Sequence, residues 1–341
     1  MTAQTSQPAA ATAGWDIRDI RRVPGIGGFA LGCAAAVLIL LWVGSDGYKQ
    51  TLVTSAATYA LIALGMYVPY LMAGSLSMAY SAYAGIGGYA VGLISTKTGL
   101  PLAVAWLVGP IVAALLAVLL GLVTRRLSGF FLAAVTLLFG MAFTAFLIDA
   151  EALSGGSGGL GNLRPLNLFG WTPSHYQVVL GSAVIVCVIA FLLDRLRLSP
   201  WGVIVRTMRD APRAVEAAGV RVPVLNLLAL ALGAAIAAVG GGLFTYSAGS
   251  ITPDTFTLNI VFLAIFMPLI GGAGTPWGAV AGAVIAVELT LNFPAIQTSG
   301  TLLLALGVLV IMLVAPRGVV GYADKLRTRT WALLRKEPDR G

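Results

Sequence analysis

Apolar runs of about 15–24 residues follow one another along the chain, separated by short clusters of Gly, Pro and charge. At ~1.5 Å of helix rise per residue, each run can cross a hydrocarbon core. Ten runs predict ten spans, at 26–43, 52–72, 76–95, 102–124, 130–148, 176–193, 222–246, 258–270, 277–293 and 301–315. The third is rich in Gly and Ser and the eighth is short and holds Pro268, so both are candidates for broken or re-entrant segments. Arg21-Arg22 and the small residues at 33–36 resemble parts of a secretion signal, yet the apolar stretch continues through 38–43 and reads as an anchor. The predicted fold is all-α: a polytopic membrane protein of about ten transmembrane helices, with a tail at 1–25, a membrane domain at 26–316 and a basic tail at 317–341.

Composition strengthens this picture. Of 341 residues, 58% are apolar and only 10% charged, against about 25% charged in soluble domains. The net charge of +8 comes from Lys and Arg flanking apolar runs, which suits a lipid surface rather than nucleic acid. Eighteen of the 21 Lys and Arg fall in one set of alternate loops and three, Lys49, Lys97 and Arg164, in the other. Positive residues are retained on the cytoplasmic side, so the tails at 1–25 and 317–341 are both expected in the cytoplasm.

The stretches from about 52 to 149 and from about 222 to 315 each hold four predicted spans. The first starts outside and the second inside, which predicts an inverted repeat of the kind transporters use. Each contains an early glycine-rich segment, 77–88 and 271–278. Such segments serve either as irregular backbone lining a cavity or as small surfaces for close helix packing; both uses place them in the bundle interior.

Much chemistry is excluded. No P-loop lysine motif occurs, and the Gly-rich run at 154–161 reads as a turn-rich outer loop. Cys33, Cys187 and the sole histidine, His175, form no ligand cluster by spacing, so neither a metal nor another cofactor is expected. Glu288 is the clearest ionisable residue inside a span; it would serve a stand-alone secondary carrier or channel, but it lies toward the outer end of its span without an evident partner. If solute moves uphill, the energy is expected to enter through a partner.

The longest cytoplasmic loop, 194–221, carries Arg206, Arg209, Asp210, Arg213, Ala214, Glu216, Ala217 and Gly219. Asp210 as N-cap, Pro212 in the first turn and Gly219 as stop predict one short helix exposing Arg213 and Glu216. Its small side chains would let another protein close on the backbone, although a solvated connector would look the same. The sequence Arg206-x-x-Arg209-Asp210-x-Pro212-Arg213-Ala214-x-Glu216-Ala217-x-Gly219 resembles the coupling loop of bacterial ABC-importer permeases of the branched-chain amino-acid family, M-type subunit. Further similar segments follow in order: 77–89, Val135-Thr136-Leu137-x-Phe139-Gly140, Leu153-Ser154-Gly155-Gly156-Ser157-x-Gly159-Leu160, Gly271-Gly272-x-Gly274-Thr275-x-Trp277-Gly278 and Pro316-Arg317-Gly318. The chain departs from the family pattern at Tyr80, where histidine is usual, and at Met141 and Leu263, where acids are frequent.

The resemblance implies a permease subunit in a bacterial inner membrane. It would work with ATP-binding subunits, a second permease and an external solute-binding protein, and would not itself be an enzyme. The small-molecule solute would be a branched-chain or related hydrophobic amino acid; urea-like amides and sugars are the cargo of neighbouring permease families. The residues at 206–219 would dock the ATPase, and Ser77, Tyr80, Ser81 and Tyr83 in the third span would line the solute pathway.

Overall fold

A computed structural model describes residues 26–44, 46–98, 100–127, 129–163 and 173–292. The tails and the predicted tenth span at 301–315 lie outside the described residues. Nine long helices account for the first nine predicted spans. They are α1 (Ile26–Val43), α2 (Gly47–Met66), α3 (Tyr80–Lys97), α4 (Ala105–Val123), α5 (Phe130–Asp149), α7 (His175–Leu198), α10 (Val222–Ala248), α11 (Leu258–Gly271) and α12 (Pro276–Asn292). Three shorter ones complete the set: α6 (Glu151–Ser154), α8 (Pro200–Asp210) and α9 (Pro212–Ala217). The chain is a multi-pass, all-α membrane protein.

The bundle is organised around α2 and α10. Helix α10 packs against α2, α3 and α4, while α2 packs against α10, α11 and α12. Exchanging the first stretch for the second maps one set of neighbours onto the other, as the repeat predicts. The two central helices are antiparallel: Gly65 meets Gly233 at one level, and Leu61 and Thr58 meet Gly240 at the next. Glycine permits these contacts. A Cβ on Gly87 would lie 1.9 Å from the Ala238 carbonyl oxygen, and one on Gly241 would lie 1.9 Å from that of Ala84. Without a hydrophobic drive between helices in lipid, such backbone-to-backbone contact is what holds them together.

Helix α3 contains three tyrosines and four glycines yet is buried along most of its length. It can be this polar because protein rather than lipid surrounds it. Helices α4, α5 and α7 bury only one face and present rows of Leu, Val, Ile and Phe outward, as lipid-facing helices do.

The two glycine-rich segments differ in use. Residues 271–278 form a tight hairpin between α11 and α12, where a Cβ on Gly271 would lie 1.8 Å from the Gly278 oxygen; α11 runs unbroken through Pro268. The third span is broken, and helix begins only at Tyr80. Before it, α2 passes into a π-helical turn, Tyr67–Met72, and residues 73–79 are non-helical. Pro69 removes one helix donor inside that turn.

All described arginines cluster at one end of the bundle, around the α4–α5 connection and the α7–α10 connection; Lys49 and Lys97 lie at the other. At that opposite end the 154–161 loop folds through left-handed turns at Gly155, Gly156 and Gly159. Leu160 and Ile251 then exchange backbone bonds of 2.7 and 2.8 Å. The loop is turn-rich, as expected, and it seals the ends of α3 and α10. His175 opens α7 beside a Ser174–Gln177 capping box. Cys33 and Cys187 meet where α1 packs on α7, both as free thiols.

Candidate functional site

Ser77, Tyr80, Ser81 and Tyr83 come together at the break before α3 and are 0, 0, 4 and 1% exposed. The Tyr80 hydroxyl donates to the Gly65 carbonyl at 2.9 Å, and its ring meets Tyr83 edge-on with centroids 5.6 Å apart. A Cβ on Gly233 would lie 2.5 Å from that hydroxyl. Tyr80 therefore reaches a point eleven residues into α10, about 16 Å from its start. Six extended residues can cover up to about 20 Å, enough for 74–79 to climb from the arginine-rich end to this depth. The Ser77 hydroxyl closes no regular hydrogen bond, although the Tyr83 phenol is near enough to interact with it.

Irregular backbone at this depth needs partners, and α5 supplies one. The Met78 N–H donates to Thr136 Oγ1 at 2.8 Å, while the threonine hydroxyl donates to the Leu132 carbonyl at 2.8 Å. One turn further, a Cβ on Gly140 would lie 2.9 Å from Ser81 Oγ, and Phe143 sits against Gly85. The segment Val135-Thr136-Leu137-x-Phe139-Gly140 is thus the clasp for the break. In the sequence alone this segment stands out only by its resemblance, which assigns Thr136 and Gly140 no role. The signal was the four-residue spacing of a hydrogen-bonding and a small side chain on an otherwise bulky apolar helix.

The 194–221 loop differs from its expected form. Two helices occupy it, α8 and α9. Ser199 caps α8, its Oγ accepting from the Gly202 N–H at 3.2 Å, with Pro200 at the first position. Asp210 is the last residue of α8 rather than an N-cap; α9 is preceded by Ala211 at φ −142° and ψ 67°, without a side-chain cap. The reason is local: Ser199-Pro200 offers the same start signal ten residues earlier, and the apolar stripe Val205, Met208 then holds α8 on the bundle. Gly219 does stop α9. At φ +83° its N–H donates to Glu216 and that of Val220 to Val215, the two bonds of a Schellman turn.

The named loop residues divide into two groups. Asp210, Arg213, Ala214, Glu216, Ala217 and Gly219 are exposed, with Val215 the buried anchor of α9. Arg206 is half-buried and Arg209 exposed, and the guanidinium groups of both donate to carbonyls of their own chain. Arg206 Nη2 donates to the Arg197 carbonyl at 3.2 Å and Nε to that of Gly202 at 3.3 Å. Arg209 Nη1 donates to the Leu71 carbonyl at 2.7 Å. Glu288, on α12, is half-buried and engaged within the chain. Among the described residues no group of three or more His, Cys, Asp and Glu could hold a metal ion.

The chain that forms this buried break before α3 and this small exposed helix on the basic end has relatives among known proteins. The family described as "Branched-chain amino acid transport system / permease component" matches residues 49–315. The chain belongs to that permease family. Its relatives include the "High-affinity branched-chain amino acid transport system permease protein LivM" of Salmonella typhimurium and that of Escherichia coli. Each is 25% identical over 295 residues, covering 78% of this chain and 68% of the relative. A "Probable branched-chain amino acid transport permease protein LivM" of Methanocaldococcus jannaschii is 34% identical over 105 residues, 29% of this chain and 30% of the relative. No solved structure matches the chain. The matched region takes in the break before α3, its α5 clasp and the α8–α9 connection, so the features described above belong to the permease unit itself.

Proposed function

We propose that this permease is the membrane subunit of an ATP-driven importer of branched-chain or related hydrophobic amino acids in a bacterial inner membrane. One observation carries the reading. Helix α9 exposes a run of small and charged residues at the basic end of the bundle, held there by a capped, amphipathic α8 and closed by Gly219. Positive residues favour the cytoplasmic side, where an ATPase would be found. A surface of Ala211, Ala214, Ala217 and Ala218 around Arg213 and Glu216 suits a cleft that closes on backbone and reads two opposite charges. ATP hydrolysis belongs to that partner, and a second permease and an external solute-binding protein complete the assembly.

The solute path runs past Ser77, Tyr80, Ser81 and Tyr83, closed in the conformation described. Hydroxyls and aromatic edges guide a zwitterion without a fixed counter-charge to trap it. ATP binding by the partner biases the membrane helices only through its differential affinity for their states. A rigid docking helix is the means of delivering that bias.

Ala214→Trp and Ala217→Trp test the docking surface. Both positions are exposed, so melting of the detergent-solubilised chain is expected to shift by no more than about 0.5 kcal/mol. ATPase co-purification and ATP-driven uptake of radiolabelled leucine are expected to disappear. Undiminished uptake in both variants would overturn the assignment.

A further inference from the structure

Two of the loop's arginines donate into their own chain, Arg206 half-buried and Arg209 exposed at the rim of the bundle. Arg209 stands one residue before the α8–α9 corner's Asp210, and its Nη1 donates to the carbonyl of Leu71, 138 residues away in sequence. Leu71 lies in the last turn of the π segment that ends α2. Carbonyls at a helix end lack intrahelical donors, and a cation there is favourable. The aliphatic stem of Arg209 lies on Gly74, where a Cβ would come within 2.8 Å of Cγ and 3.3 Å of Cβ. Gly74 has φ +75° and opens the extended segment that leads to Ser77.

The same π segment is held at its other end. Tyr67 lies within electrostatic range of Asp194, Arg197 and Arg206. Asp194 and Arg197 pair at 3.2 Å, and Arg206 clamps the Arg197 carbonyl. Val205 and Met208 of α8 share one buried cluster with Tyr67, Val68, Leu71 and Met72. Gly202 makes the corner possible, since a Cβ there would lie 2.2 Å from the Leu196 carbonyl oxygen.

We infer that Arg209 is a positioning residue that ties the docking segment to the π turn of α2, so that displacement of α8–α9 is delivered to residues 74–79 and hence to the break holding Ser77 and Tyr80. The tie stays closed while the parts on either side of it move together. Helix α9 meets the partner, and the Arg209 guanidinium acts on this chain through the Leu71 carbonyl. The inference rests on the importer reading above and adds to it where the mechanical link is made.

The test uses the chain assembled with the ATPase subunits that co-purify with it, in proteoliposomes, with radiolabelled leucine as probe and ATP hydrolysis measured in parallel. Arg209→Met keeps the stem on Gly74 and removes the donor. The ATPase is expected to remain bound and hydrolysing, while leucine taken up per ATP falls about tenfold, the worth of a charge-assisted hydrogen bond to a carbonyl. Arg209→Lys, which retains one donor, is expected to fall between. A second arm uses Gly74→Cys/Arg209→Cys in a Cys33→Ser/Cys187→Ser background, because the Cβ separation of 3.3 Å is close to the disulfide range of about 3.5–4.5 Å. Oxidation is expected to raise uptake per ATP and reduction to lower it again. An unchanged ratio in Arg209→Met, loss of the ATPase from that variant, or an oxidised pair no better coupled than the reduced one would each overturn the inference. A parent chain that retains no ATPase overturns the importer reading itself, and the strut with it.

Discussion

Gly87 and Thr136 show how single side chains decide this fold. At Gly87 the space for a Cβ is filled by the backbone of Ala238, which cannot rotate aside as a side chain could. Gly87→Ala is expected to destabilise the bundle by about 3 kcal/mol, the upper part of the range for overpacking, read from thermal melting in detergent. Thr136 gives the Met78 N–H its acceptor. Thr136→Val keeps the shape and loses the oxygen, leaving a donor unpaired inside the bundle at a cost of about 1–3 kcal/mol. Thr136→Ser is expected to recover most of that loss, and a valine variant as stable as the parent would show that the break is held by other contacts. Tyr80 shows the same economy: its long side chain spans from α3 to the Gly65 carbonyl of α2.

At the level of elements, the α7–α10 connection separates what a start signal can and cannot say. Ser199-Pro200 and Asp210-x-Pro212 both match a capped helix start, and only the first is used as one. Ser199→Ala is therefore expected to destabilise α8 by about 1 kcal/mol, seen as faster hydrogen exchange over 200–210. Asp210→Ala is expected to change it by no more than about 0.5 kcal/mol. The reverse order of effects would restore Asp210 as the cap. The break before α3 is the other element-scale result. Glycine and serine marked 76–95 as unusual, and the non-helical part proved to be 73–79, ahead of all four of those glycines. The glycines of α3 are there because α10 lies against them; the break follows from Pro69 and from the partners that Thr136 and the α2 terminus provide.

For the whole molecule, the reciprocal packing of α2 and α10 makes the two stretches a single mechanical unit, and α8 attaches to it at the end of α2. On the importer reading proposed above, energy entering at α9 has a short route to the buried hydroxyls. Glu288 lies on α12, away from that route. Glu288→Gln is expected to leave ATP-driven leucine uptake unchanged, with no added sensitivity to ionophores that collapse ion gradients. Loss of uptake in that variant would favour a gradient-driven carrier.

The number, length and order of the first nine spans were legible in the chain itself, because lipid enforces a long apolar run for every crossing and the positive-charge bias marks alternate loops. The kind of protein was legible too, from motifs spread along most of the length. Only the folded molecule decided where the non-helical segment falls, which of two equivalent caps is used, and that Arg206 and Arg209 bond to carbonyls of their own chain while Arg213 and Glu216 face out. Hydropathy reports whether a segment leaves water and is blind to which neighbour then covers it. Those choices are made by contacts between residues far apart in sequence, such as Arg209 with Leu71 and Met78 with Thr136, and such contacts leave no local pattern to read.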